Sequence, residues 1–149
     1  MADTYSGWKG SLGEEVAEQR LGACLRDSEL SPQEFVSVYL PGMFSENPRQ
    51  EVKDELGKVM SDFHPLGFRL MATALARGDT RELLPEIKVP TLLIWGDADK
   101  RSPLSVGHQM RDAIPGSRFE VIAGVGHVSN LENPHRFNEI VLDFIATIG

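Results

Sequence analysis

The stretch VPTLLIWGDADKRSP, residues 89–103, decides the architecture. Thr91 to Trp95 is a short unbroken apolar run that follows Pro90 and stops at Gly96. A run of this kind, with no alternation, is the pattern of a strand covered on both faces, as in a parallel sheet. Ser102 and Pro103 then open a helix carrying Val106, Met110, Ala113 and Ile114 on one stripe, and Pro115-Gly116 ends it. A second strand follows, in which Phe119, Val121 and Ala123 alternate with Arg118, Glu120 and Ile122. Beyond the loop Gly124-Val-Gly-His-Val-Ser129, Asn133-Pro134 starts a last helix. Its Phe137, Ile140, Val141, Phe144, Ile145 and Ile148 fall at helical spacing, so one face is wholly apolar and is expected to lie on the sheet. The unit predicted is strand, helix, strand, helix, with parallel strands joined by a right-handed crossover.

Upstream the punctuation is helical. Ser11-Leu-Gly-Glu14 has the spacing of a capping box and opens a segment to about Arg26; Ser31-Pro32-Gln-Glu34 repeats it with proline at the first helical position. Pro41-Gly42 stops that second helix. Asn47-Pro48 starts a third, with Val52, Leu56, Val59, Met60 and Phe63 on one face, and Pro65 opens a fourth ending near Gly78. None of the four is long enough to be stable alone in water, so they are expected to pack as one small helical layer.

Composition narrows the function classes. The 149 residues are 41% hydrophobic and 25% charged, enough for a globular core. A net charge of −7 without a Lys/Arg cluster offers no footprint for nucleic acid or anionic lipid. No apolar run approaches the roughly 20 residues that span a bilayer, and the N-terminus lacks a basic flank followed by an apolar stretch; a cytoplasmic location is the expectation. The single cysteine, Cys24, shares a helical stripe with Ala17, Leu21 and Leu25 and reads as a buried structural thiol. His64, His108, His127 and His135 show no metal-ligand spacing, so neither a metal nor a cofactor is expected, and His108 is placed on a polar, solvated helix face.

In open α/β sheets ligands bind at the carboxyl ends of the strands, so the loops after Trp95 and after Ala123 are where chemistry is expected. Parallel neighbours bring these loops to one edge. The first holds Asp97 and Asp99, the second His127. A carboxylate that accepts the Nδ1 proton of a histidine fixes its tautomer and leaves Nε2 free as a base, a pairing that suits Asp99 and His127. Asp97 has the look of a capping or turn residue.

Residues 88–148 resemble the C-terminal end of the α/β-hydrolase fold superfamily. There the pattern G-x-x-D-x-x-x-P carries the triad acid, here Gly96, Asp99 and Pro103. The pattern G-H followed by E-x-P carries the triad histidine, here Gly126-His127 with Glu132 and Pro134. The resemblance implies an incomplete α/β-hydrolase core, a βαβα unit over residues 81–149, preceded by a helical cap or lid over 11–80. Residues 1–10 read as the remnant of a core strand end with its linker. It also implies acyl hydrolysis of an esterase or lactonase kind by a Ser-Asp-His triad, acting on a small apolar ester- or lactone-like substrate, with Trp8, Phe35, Tyr39, Met43 and Phe44 as cap residues that either line a pocket or form plain core.

The superfamily's nucleophile sits at a strained strand-to-helix turn, usually G-x-S-x-G. No serine of this chain is flanked by glycine at both i−2 and i+2; Ser11 and Ser105 match on one side only, as does Cys24. The expectation is a chain that holds the acid and the histidine and is inactive alone, its nucleophile lying upstream of Met1. Two strands are also too few for a sheet covered on both faces, so the free edge beside Thr91–Trp95 is expected to take a strand from an N-terminal-half partner chain or from self-association. Two alternatives stand beside this reading: a non-catalytic binding or partner-completing subunit of the same fold, and an epoxide hydrolase or dehalogenase relative whose nucleophile is an aspartate.

Overall fold

The computed structural model describes residues 1–148 and divides them into two compact units. One comprises residues 5–41 and 50–80, the other residues 1–4, 42–49 and the chain from 81 onward. Residues 42–49, although embedded in the helical stretch of the sequence, thus belong with the strands. No helix of the described residues is long and apolar enough to cross a membrane.

The first unit holds α1 (Trp8–Leu12), α2 (Glu14–Asp27), α3 (Pro32–Tyr39), α4 (Gln50–Ser61) and α5 (Pro65–Arg77). The capping box expected at Ser11 does not form. Gly13, at φ 88°, separates α1 from α2, a left-handed conformation that glycine adopts without strain and that no helix can run through. Ser11 therefore lies within α1, and its Oγ accepts from the Ser6 amide at 2.9 Å. The Ser31 box does form: Ser31 Oγ accepts from the Glu34 amide while the Glu34 carboxylate accepts from the Ser31 amide at 2.9 Å. α2 and α5 meet through Ala17, Cys24, Ala72 and Ala76, small side chains that let the helices approach closely. Cys24 is buried and hydrogen-bonds Tyr39 Oη at 2.7 Å. Phe35 stacks on Tyr39 and Phe63 and meets Phe68 edge-on, so Phe35 and Tyr39 form core. Val59 departs from its predicted stripe and is exposed. Val52, earlier on the same stripe, is buried, and Gly57 faces Val36 and Leu40 of the neighbouring helix end.

In the second unit, β1 (Leu92–Gly96) and β2 (Arg118–Ile122) pair in parallel, in register from Leu92 with Arg118 to Gly96 with Ile122. α6 (Leu104–Ala113) makes the crossover, and α7 (Ser129–Glu132) and α8 (Pro134–Ile148) follow. Every residue of β1 is buried, as the unbroken apolar run predicts. The edge of β1 expected to be free is occupied. Met1–Asp3 lies parallel beside it, with the Ile94 amide donating to Met1 O at 3.0 Å and the Asp3 amide to Ile94 O at 3.0 Å. These backbone groups satisfy the ladder that a partner strand was expected to complete.

On β2 the sequence alternation assigns the apolar face to Phe119, Val121 and Ala123, whereas Ile122 is buried and Val121 is 39% exposed. Both faces of β2 are in use: Phe119 meets Trp95 with ring centroids 6.0 Å apart, and Ile122 packs with Ile140 of α8. Phe119 also covers His108, whose ring lies 5.0 Å away and whose Nδ1 is buried without a hydrogen-bond partner among the described residues, against the expectation of a solvated side chain. α8 buries Ile140 with Phe137, Val141 and Phe144 around the core, but Ile145 and Ile148 are exposed.

Candidate active site

β1 ends at Gly96 and the chain turns back at once, the Asp99 amide donating to Gly96 O at 3.3 Å and the Ala98 amide to Val125 O at 3.0 Å. This turn points the Asp99 carboxylate inward, where its side chain is fully buried. Oδ1 accepts from the Arg101 and Ser102 amides at 2.8 and 2.9 Å. Oδ2 lies 2.9 Å from His127 Nδ1. A carboxylate with two amides on one oxygen has a fixed orientation, and an ionised carboxylate only accepts. The proton of a neutral His127 therefore belongs on Nδ1, leaving Nε2 as an acceptor. The His127 side chain is 18% exposed, buried enough to be held and open enough to be reached.

Asp97 is a turn residue rather than a helix cap. Its Oδ1 accepts from the Gly124 amide at 2.7 Å and so ties the loop after β1 to the loop after β2; α6 starts at Leu104 with Pro103 at the N-cap and no side-chain cap.

Two further carboxylates hold the histidine loop, neither assigned a contact from sequence. Asp3, at φ 45°, accepts from the Gly96 amide at Oδ1 (2.9 Å) and from the Ser129 amide and hydroxyl at Oδ2 (3.2 and 2.6 Å). Glu132 accepts from the Gly126 amide and from both the amide and hydroxyl of Ser45. Gly126, His127 and Ser129 are thus each held by a carboxylate from a different segment. The signal for Glu132 is its place in the E-x-P pattern; for Asp3 it is only a carboxylate in the segment read as a core strand end.

Burial pushes the Asp3 carboxyl above its ordinary value of 3.8, and the charge of Asp99 pushes the same way, against the hydrogen bonds from Ser129 and Gly96. A carboxyl whose folded value is raised takes up a proton on folding between 3.8 and that raised value. Its contribution to stability is therefore fully present below 3.8 and is lost as pH rises through the folded value. The stability advantage of the wild-type chain over Asp3→Asn is expected to grow as pH falls from 7 toward 4, opposite in sign to an ordinary ion-paired aspartate, as measured by urea unfolding at each pH.

Close backbone approach explains both motif glycines. A Cβ on Gly126 would meet Phe44 C at 2.5 Å and Ser45 N at 2.7 Å, and one on Gly96 would meet Val125 O at 2.3 Å. These neighbours are main chain and cannot swing aside. Gly126→Ala is expected to destabilise the chain by about 2–4 kcal/mol in urea unfolding.

Among the described residues no group of three or more His, Cys, Asp or Glu side chains is placed to hold a metal ion. A family model described as the alpha/beta hydrolase fold matches residues 43–134, which include Asp99, Gly126, His127, Glu132 and Pro134. The chain belongs to the α/β-hydrolase family. Over 89 residues this α/β hydrolase is 37% identical to 3-oxoadipate enol-lactonase 1 of Acinetobacter baylyi, covering 60% of the chain and 33% of that protein. Over 70 residues it is 36% identical to a 2-hydroxy-6-oxononadienedioate/2-hydroxy-6-oxononatrienedioate hydrolase of a Pseudomonas species, covering 47% of the chain and 25% of the relative. Among solved structures it is similar to a thermophilic esterase from Thermogutta terrifontis, with a TM-score of 0.84 and 26% identity over 99% of this chain and 54% of the esterase. The chain thus spans a quarter to about half of the length of these proteins. Its two-stranded parallel sheet is an incomplete version of the family's core.

Proposed function

We propose that this chain supplies the acid and base of an acyl hydrolase whose nucleophile lies in sequence outside these 149 residues. The observation that carries the reading is the orientation of Asp99: one oxygen pinned by two amides, the other 2.9 Å from His127 Nδ1. In this scheme His127 Nε2 takes the proton of the nucleophile as it attacks the ester or lactone carbonyl, and Asp99 stabilises the imidazolium so formed. The imidazolium returns the proton to the leaving alcohol, and His127 then activates the water that releases the acid from the acyl enzyme. Support for an ester- or lactone-like substrate comes from the names of two similar proteins, an enol-lactonase and an esterase; a third is named a hydrolase of 2-hydroxy-6-oxononadienedioate and 2-hydroxy-6-oxononatrienedioate, so the names do not carry an apolar substrate. The helical unit has, in this reading, the role of the cap.

The sequence holds no G-x-S-x-G turn, and without a nucleophile and the donors that bind the developing oxyanion, the largest catalytic terms are missing. Joining the chain to a polypeptide that carries such a turn is the experiment. Hydrolysis of a short-chain ester that depends on His127 is the expected result, whereas a purely binding subunit would keep its function in His127→Ala.

A further inference from the structure

Residues 42–49 run from one loop of the site to the other. Near the acid loop, Arg101 Nε donates to Gly42 O at 3.2 Å, and Lys100 faces Glu46 at 4.0 Å. Over the histidine loop, the backbone of Phe44 and Ser45 lies so close to Gly126 that no side chain fits between them. There the connection is polar and concentrated on one group. The Glu132 carboxylate takes the Ser45 amide at 3.1 Å, the Ser45 hydroxyl at 2.5 Å and the amide of Gly126, the residue immediately before His127. Phe44 is buried beside this junction.

We infer that Glu132 is a positioning residue: it latches the strap 42–49 onto the peptide that carries His127, and the strap, tied in turn to Arg101, keeps the histidine in register with Asp99. This rests on the pairing of Asp99 with His127 described above. The physical reason for a carboxylate is acceptor capacity. Three donors from two segments converge, and two oxygens with four lone-pair directions satisfy them all with charge-assisted bonds, whereas an amide could keep only its one oxygen on the Gly126 and Ser45 amides and would have to donate to the Ser45 hydroxyl. Glutamine, although the same shape, loses the charge and makes Ser45 Oγ an acceptor, so it weakens the latch.

The test reads His127 directly and needs no turnover. In the full 149-residue chain, labelled with 15N, the exchange rate of the His127 Nδ1 proton and the tautomer are measured by NMR together with the Gly126 amide. Glu132→Gln is expected to speed exchange of both protons by about tenfold or more, since local opening of the loop then exposes them. Ser45→Ala, which keeps the carboxylate and removes one donor, is expected to give a smaller change of the same sign and serves if Glu132→Gln does not fold. Ile140→Val, a change in the buried face of α8, lowers stability without touching the latch and should leave the Nδ1 exchange rate within twofold of wild type. The inference is overturned if Glu132→Gln frees only the Gly126 amide and leaves the Nδ1 proton unchanged, or if Ile140→Val speeds the Nδ1 proton equally. A failure of the hydrolase reading would appear instead as His127-independent ester hydrolysis, with this exchange pattern intact.

Discussion

With His127 replaced by alanine, an enzyme assembled from this chain and a nucleophile-bearing segment is expected to lose about 10⁴-fold or more in kcat for a short-chain activated ester. The base is lost outright, because among the described residues no other imidazole hydrogen-bonds Asp99: His64 accepts from the Gly67 amide, His135 is exposed on α8 beside Glu139, and the His108 ring lies against Phe119. KM is expected to change little, since His127 acts on the nucleophile rather than on the bound ester. The variant also strips Asp99 Oδ2 of its partner inside a fully buried site, a loss of about 1–3 kcal/mol in unfolding free energy that leaves the oxygen's desolvation uncompensated. Steady-state kinetics with urea unfolding on the same preparation separates the two effects.

Asp99→Asn is expected to lower kcat by about 10³- to 10⁴-fold while leaving the side-chain volume unchanged. Both orientations of the amide fail. With Nδ2 toward His127, the ring must accept at Nδ1, so its proton moves to Nε2 and the base is lost. With Oδ1 toward His127, the NH₂ group faces the Arg101 and Ser102 amides, placing donor against donor in a buried site. NMR of the imidazole nitrogens distinguishes the two, and a wild-type tautomer at wild-type activity contradicts the assigned role of Asp99.

The contact between Asp99 and His127 was legible because each is fixed by short-range pattern: an acid three residues past the strand-ending Gly96 and a histidine next to Gly126. The αβ alternation was legible for the same reason, since the apolar run 91–95 and the stripe of α8 are local. Contacts across long sequence distance were not. Asp3 reaches Ser129 over 126 residues and Ser45 reaches Glu132 over 87, and no periodicity encodes such pairings. The N-terminal residues read as a strand end, but nothing in three residues, Met1 to Asp3, says which strand they lie beside, and so the edge of β1 that they occupy was expected to be free. Ser11 and His108 show the other limit. A matching tetrapeptide does not cap a helix when Gly13 breaks the chain direction inside it, and a helix face that is polar by composition can still be covered by one ring, Phe119.

Hydrolysis of a short-chain activated ester by the purified 149-residue chain, beside His127→Ala, tests most directly whether the chain holds an acid and a base without their nucleophile. The proposed division of labour predicts equal rates for the two, with turnover arising only when a nucleophile-bearing segment is joined to the wild-type chain. A wild-type rate well above that of His127→Ala in the chain alone would contradict it, because a nucleophile would then have to lie among these residues.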